Sequence, residues 1–570
     1  MTEYFKAKQW AITGALEKIS RRDATAQLQA RGASVTSSVT TKTHFLVSVS
    51  FDPANARWLS NKETKARQYN IPIFNEAQLI AILAGEEPAA IEALSPVVEI
   101  EEIPSRDALE HFRDLVYGEL TQTGWETICD LIDQIAPEDR PIVLDYLQGN
   151  LSDASTVEWV FSPHNYFWSV LQTLNPRTLP PRWLFEVLRG EDHPKLALVR
   201  VANLAGQKIN ATLINGLIRC THLSHIKAVN LNDNPIPMKA WGDLLQSPLM
   251  RQPESLHLGK LKISADGAAL MAHAPLQSTL THLMLSKVEL LRGAASAFFA
   301  SPAWANLTFL QAHTIKSTED VHAALAAATH IKKLTHLTWT DVNGQDASLA
   351  ALLSARHLSG LRFLSLRRQQ NSAVPEVALR AIAQATDMNS LEHLDIMTTY
   401  WSPIDHPGLP ELLAAPHLAS LKILFMSTDP QGLEALADAT HLRALQHLEL
   451  NNQFPGVDAW ERLLTASHLD DLLELHITAA LPPGFVGRLL SSDRMPRLAS
   501  FALSRTHLDS DDIDALIKAT HRTPLQNLHA YIHNDVSTRQ LSAAVKADHL
   551  PEDFKRILNW ELHQRKSNKK

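Results

Sequence analysis

The chain has 570 residues, 45% of them apolar and 20% charged, with a formal net charge of -8. That length exceeds what one hydrophobic core supports, so several domains or a repeat array are expected, and the composition is globular rather than disordered. No run of about 18 apolar residues occurs, and the opening "MTEYFKAKQW" has no apolar stretch behind its charges. The sequence therefore predicts a cytoplasmic protein with no membrane partner. Two cysteines, Cys129 and Cys220, exclude a disulfide framework or a cysteine-rich zinc site and read as small buried hydrophobes.

Residues 1–85 hold eleven Lys/Arg against six Asp/Glu, a net +5 that leaves -13 for the rest. In chain order this basic head reads as strand "QWAIT", helix "RRDATAQLQARG", strands "ASVTSSV" and "HFLVSV", helix "KETKARQYN", strand "IPIFN" and helix "EAQLIAILAG". That order predicts a small α/β sandwich over residues 1–88. Gly32 is expected just past its helix, where a left-handed residue is cheap, and Pro72 puts its strand at an edge or a strand start. "EEPAAIEALSPVVEIEEIPSRD", with six Glu and three Pro, reads as a solvated linker spanning residues 89–105. Residues 106–195 read as helical, and Trp125, Trp159, Trp168 and Trp183 are expected to cap the apolar end of a repeat array that begins at residue 196.

The array is recognised by its spacing. An apolar residue, another three on and a third five on recur as "IKAVNL" at 226, "PESLHL" at 253, "LTHLML" at 280, "LTFLQA" at 307, "LTHLTW" at 334 and "LRFLSL" at 361. The pattern continues as "LEHLDI" at 391, "LKILFM" at 421, "LQHLEL" at 445, "LLELHI" at 472, "LASFAL" at 498 and "LQNLHA" at 525. The first five intervals are 27 residues and later ones run from 24 to 30. An earlier copy, "LALVRV" at 196, gives about thirteen over residues 196–550, followed by a terminal helix and basic tail at 551–570. Each copy adds a helix such as "ALLSARHLSG", and one strand plus one helix cannot bury its own apolar face, so neighbours must stack.

The strand period of two sends positions 0, 3 and 5 of each copy to the core and positions 2, 4 and 6 to the opposite face. Position 2 reads His282, Phe309, His336, Phe363, His393, Ile423, His447 in succession. The histidines stand on alternate strands, about 10 Å apart, whereas zinc needs every nitrogen at about 2 Å, so no metal is expected. Two readings of the stripe stay open. It is a solvated face, or a concave recognition surface on which exposed Phe309 and Phe363 anchor a protein partner and the flanking histidines add pH-sensitive hydrogen bonds. A second histidine column, His222, His330, His357, His417, His441, His468 and His521, falls four residues before position 0 and is expected to pack at the helix-to-strand turn.

The repeat resembles the leucine-rich repeat family, in its longer class with an outer helix; its asparagines are incomplete, at "NLNDNPI" and "LELNNQF", which predicts less regular turns. The head, through "ITGAL", "SRRDA", "RGASVTSSVTTKTHFLVS" and "NKETKARQYNIPIFNEAQLIAIL", resembles a BRCT domain of the bacterial NAD-dependent DNA ligase type, which also implies a bacterial source. In phosphopeptide-binding relatives a Ser/Thr-Gly pair and a helix-start Lys hold phosphate; the matching residues are Thr13, Gly14 and Lys62. Arg21 and Arg22 open a helix whose N-terminus also favours an anion. Selective phosphopeptide reading in that family uses two tandem domains, and here one is followed by the solenoid. The resemblance thus leaves DNA, a phosphorylated protein or plain protein docking open as the head's partner.

No P-loop, GxGxxG after a strand, HExxH or GxSxG occurs, and the ligase likeness brings no adenylation lysine motif. "DSDDID" at 509–514 lacks the glycine and closing glutamate of a calcium loop and reads as a helix start. The expectation is a non-enzymatic, cofactor-free interaction adaptor. A DNA-associated accessory protein of repair or replication is the alternative, and an unfamiliar active site in 106–195 is a third class.

Overall fold

The computed structural model describes residues 4–13, 16, 18–36, 38–40, 42–48, 62, 66, 69, 71–85, 112–113, 115–116, 120–136, 139–151, 157–160, 170–173, 175–234, 236–342, 344–367, 373–398, 407–451, 456–479, 481–519 and 525–567. Two compact units result, one formed by 1–202 with 215–227 and the other by 203–214 with 228–570.

In the first unit the head is a parallel sheet in the order Ser34–Thr36, Gln9–Thr13, Phe45–Ser48, Ile73–Phe74. Trp10 is fully buried and meets Phe45 at 4.7 Å and Phe74 at 5.9 Å between ring centres. Pro72 precedes the edge strand, as its missing N–H requires. Helix Arg21–Ala30 starts under a Ser20 cap and gives way to Gly32 at φ +92°; helix Glu76–Ala84 starts with an Asn75/Gln78 capping box.

Residues 106–195 are not helical throughout. Helices Gln122–Gln134, Arg140–Asn150 and Pro181–Arg189 are joined by an antiparallel pair, Val157–Val160 with Val170–Thr173. The short Val-containing runs "VEWV" and "VLQT" suit a pleated backbone better than a helix. Trp125 and Trp183 are buried edge to face at 6.1 Å; the Trp159 and Trp168 side chains lie outside what the structure describes. Buried Lys195 joins them, 2.9 Å from Asp133 and 2.7 Å from Glu186. Burial alone would raise the Asp133 carboxyl, but hydrogen bonds from Trp183, Lys195 and Arg182 outweigh it and hold it below its ordinary value.

The second unit is a β/α solenoid. Twelve strands from Ala228–Asn230 to Asn527–Ile532 form one parallel sheet in sequence order. Neighbours pair equal repeat positions, as His282 with Phe309 and Phe309 with His336, until the last pair, whose register shifts between Ala502 and His507. Leu280, Leu283 and Leu285 are buried, and the corresponding leucines behave alike along the array. The first copy sits three residues later than its apolar spacing suggested. Its strand is Val201–Asn203, 27 residues before Ala228, so the copy is "VRVANL" at 199, with Val199, Ala202 and Leu204 buried.

The turns after the strands are more regular than the missing asparagines implied. Gly206, Asp233, Lys260, Lys287, Thr314 and Asp341 recur every 27 residues with φ between +49° and +68°. Asp233, Lys260, Lys287 and Thr314 donate their N–H to the next strand's last residue, as Lys260 to Ser286 and Lys287 to His313, both at 2.8 Å, and Gly206 and Asp341 donate just past it, to Asn232 O and Arg367 O. A left-handed non-glycine residue costs about 1 kcal/mol, so this closure must be offset by the interstrand bond it makes. Asn234 supplies a side-chain version, donating to Leu204 O and Leu231 O while accepting from Ile209 N.

The second histidine column staples copies together. His417 Nε2 lies 3.1 Å from Ile382 O, His468 Nε2 3.0 Å from Leu436 O and His549 Nε2 2.9 Å from Leu516 O, each acceptor near the C-terminal end of a preceding helix. Burial lowers His417 and His468, so these rings are neutral N–H donors, and each carbonyl they meet also accepts the C-cap N–H of its own helix, as Ile382 O does from Ala385 and Leu436 O from Ala439. His549 extends the column to the end of the array, while His521 lies outside the described residues. "DSDDID" is a helix start, with Asp509 and Asp512 forming a capping box. His468→Ala should lower stability by about 1–2 kcal/mol through the lost second hydrogen bond to Leu436 O and the lost packing, read as a shift in the chemical-denaturation midpoint at pH 7.

Candidate functional site

The head brings three of its five expected anion-site residues to one place. Thr13 ends its strand and is 2% exposed. Lys62 is half-buried and donates from Nζ to Ile12 O at 3.0 Å, beside Thr13. Burial, then the positive charge of Arg21, lowers the Lys62 ammonium below its usual value. Two cations thus share a corner with a strand end, and the accessible part of it is cationic rather than hydroxylic. Arg22 is exposed on the next helical position, and Gly14 lies outside the described residues.

On the solenoid, position 2 forms a continuous ladder of rings. Ring centres are 5.6 Å apart for His282–Phe309, 6.2 Å for Phe309–His336, 5.8 Å for His336–Phe363 and 4.2 Å for Phe363–His393; Phe425 meets His393 edge-on at 5.2 Å. The expectation of exposed phenylalanine anchors fails: Phe309 is 1%, Phe363 7% and His393 6% exposed. Rings on strands about 4.8 Å apart cover one another's faces, so a column of them hides its own apolar area. His282, His336 and His447 remain half-buried and accessible.

A threonine column at position 1 orients two of these rings. Thr281, Thr308 and Thr335 donate Oγ1 hydrogens to Glu254 O, Thr281 O and Thr308 O. The Thr281 and Thr335 hydroxyl oxygens lie 2.8 Å from His282 Nδ1 and 2.7 Å from His336 Nδ1, hydrogen-bond distances that fix the orientation of both rings. The column continues as Arg362, Glu392 and Lys422, with Arg362 Nη2 2.5 Å and Lys422 Nζ 3.0 Å from the Glu392 carboxylate. Burial, reinforced by the Arg362 charge, lowers His336 to about 4; burial lowers His393 to about 3 and also depresses His282. His282, His336 and His393 are therefore neutral near pH 7, and the anticipated pH-sensitive hydrogen bonding at these three moves below neutrality.

Reading single columns missed the pairs that form across them. His447 Nδ1 is 3.1 Å from Glu474 Oε2, and His476 Nδ1 is 3.2 Å from Glu449 Oε1. The signal was present as "HLEL" followed one copy later by the inverted "ELHI". Among the described residues no His, Cys, Asp or Glu group of three or more is placed to hold a metal, and no helix is long and apolar enough to cross a membrane.

A small α/β head followed by a parallel β/α solenoid is the class these features define. Residues 2–83 match the family model of the BRCA1 C Terminus (BRCT) domain, and the head is a BRCT domain. That stretch is 40% identical over 80 residues to a DNA ligase of Bacillus velezensis, covering 14% of this chain and 11% of the ligase. A DNA ligase of Thermoanaerobacter sp. is 36% identical over 86 residues, 15% of this chain and 12% of that protein. The chain thus spans about a tenth of the length of the curated relatives it matches. An internalin from Listeria monocytogenes aligns with a TM-score of 0.34 and 16% identity, over 60% of this chain and 89% of that one.

Two outcomes are expected from the ladder. Phe309→Ala should destabilise the chain by about 3–5 kcal/mol, a core-like value, in urea denaturation. The depressed histidines bind fewer protons folded than unfolded, so their contribution is complete above pH about 6.5 and is lost as pH falls toward 4. Melting temperature should drop across that window, and the non-titrating His393→Phe should flatten the drop relative to the parent protein.

Proposed function

We propose that the chain is a non-enzymatic adaptor. Its BRCT head docks one partner, and its leucine-rich-repeat sheet offers the concave face to a second, protein partner. The observation that carries this reading is the register of the sheet: it lines one side chain per strand into a row in which His282, His336 and His447 stay accessible. A row of that kind suits an extended or folded protein surface better than a small molecule, which needs a concave pocket burying most of its area. With Phe309 and Phe363 serving as the ladder's internal supports, the contact residues in this reading are the half-buried histidines and their polar neighbours.

The second reading, a DNA-associated accessory role, is favoured by the corner beside Thr13 where the Arg21 charge acts on half-buried Lys62. An anion relieves such like charges, and phosphate is the anion that DNA or a phosphorylated protein presents.

Partners retained from cell extract by the immobilised full-length chain distinguish the two. His282→Ser with His336→Ser should abolish retention of the concave-face partner in a chain that still unfolds in a cooperative transition, its midpoint lowered by the broken ring stack, whereas undiminished retention contradicts the adaptor reading. Duplex DNA binding that falls steeply between 50 and 200 mM salt, on the order of tenfold or more, and that Arg21→Gln with Lys62→Gln removes, supports the second reading; salt-independent or absent binding sinks it.

A further inference from the structure

The strands beyond the ring ladder carry a constellation with its own chemistry. His447 and Glu449 alternate on strand His447–Asn451, and Glu474 and His476 alternate in the opposite order on Glu474–Thr478. In register His447 faces Glu474 and Glu449 faces His476. Two imidazole–carboxylate pairs therefore stand side by side on the outward face, crossed in sense.

The Glu449 carboxylate is not balanced from within. Glu449 is 8% exposed, and its buried Oε1 accepts no hydrogen bond: the His476 nitrogen is at ionic distance but off the line that an N–H···O bond needs. A carboxylate held out of water calls for donors on both oxygens. The strands Ile423–Ser427, His447–Asn451 and Glu474–Thr478 contain no Lys or Arg that could supply them. One strand over, half-buried Phe425 stands in register with Glu449 and offers an aromatic surface at the edge of the pair.

We propose that Glu449, Glu474, His447 and His476, with Phe425 beside them, form a binding site for a basic side chain, an arginine of the protein partner docked on the concave face. This rests on the adaptor reading and names the partner's chemistry. A guanidinium presents its donors in a planar fork that can bridge carboxylates on neighbouring strands, and its face stacks on an aromatic ring, which an ammonium matches less well.

The test uses the full-length chain and a fluorescein-labelled nonapeptide of alternating Arg and Gly, followed by anisotropy at low salt, with the same peptide carrying Glu for Arg as control. Saturable binding of the Arg peptide alone is expected. Glu449→Gln and Glu474→Gln should each weaken it on the order of tenfold, with melting curves like the parent's. The exposed-site variant Glu474→Gln keeps the test valid should Glu449→Gln fail to fold. Absence of saturable binding, equal binding by parent and Glu474→Gln, or binding that a chelator abolishes would each overturn the proposal, the last in favour of a metal. If the peptide fails while His282→Ser with His336→Ser still abolishes partner retention, this inference alone falls. If those substitutions are silent as well, the adaptor reading falls with it.

Discussion

Parallel pairing at equal repeat positions is the constraint on which the rest of the solenoid depends. It stacks like on like at about 4.8 Å, a spacing suited to offset aromatic rings, to hydroxyl-to-carbonyl bonds and to alternating charges. Each of these chemistries occupies a column: the His/Phe rings at position 2, the threonines and then Arg362, Glu392 and Lys422 at position 1, and the left-handed residues from Gly206 to Asp341 where the strands end. The leucines at positions 0, 3 and 5 drive the stacking, and the columns hold its register. A slip of one residue would exchange the leucines for the rings.

Much of this is legible in the sequence because the repeat is nearly rigid in length over its first half. The 27-residue step alone identifies strand, face and column, and the described strands and helices of the head follow the expected order, while most of the helix read at 62–70 and the linker read at 89–105 lie outside the described residues. The misplaced first copy shows where local pattern fails: Leu196, Val199 and Val201 satisfy the same apolar spacing as Val199, Ala202 and Leu204, and only counting back 27 from 226 separates them. The strand pair in 157–173 escapes a helical reading of this segment only in the structure, because two short strands carry too little periodicity to stand out from the flanking helices.

The columns taken singly do not reveal interaction between them or burial within them. Phe309 and Phe363 face outward by register, yet the rings above and below bury them, so outward-facing and exposed are different properties in a stack. The Glu449–His476 and His447–Glu474 pairs appear only when two positions on two strands are read together. In the head, Lys62 and Arg21 are 41 positions apart in sequence, and folding sets them close enough for one charge to depress the other.

The two units carry different chemistry, a cationic corner in the BRCT head and His–Glu pairs on the outward face of the solenoid. The central claim is that register selects the contact residues. Covalent side-chain footprinting of the full-length chain, free and in complex with its captured partner, tests it most directly. The account predicts protection on complex formation at His282, His336, His447 and Glu474, with the outer-helix residues Arg380 and Arg462 labelled equally in both states. Protection confined to the outer helices, with the four outward-facing strand residues unchanged, would contradict it.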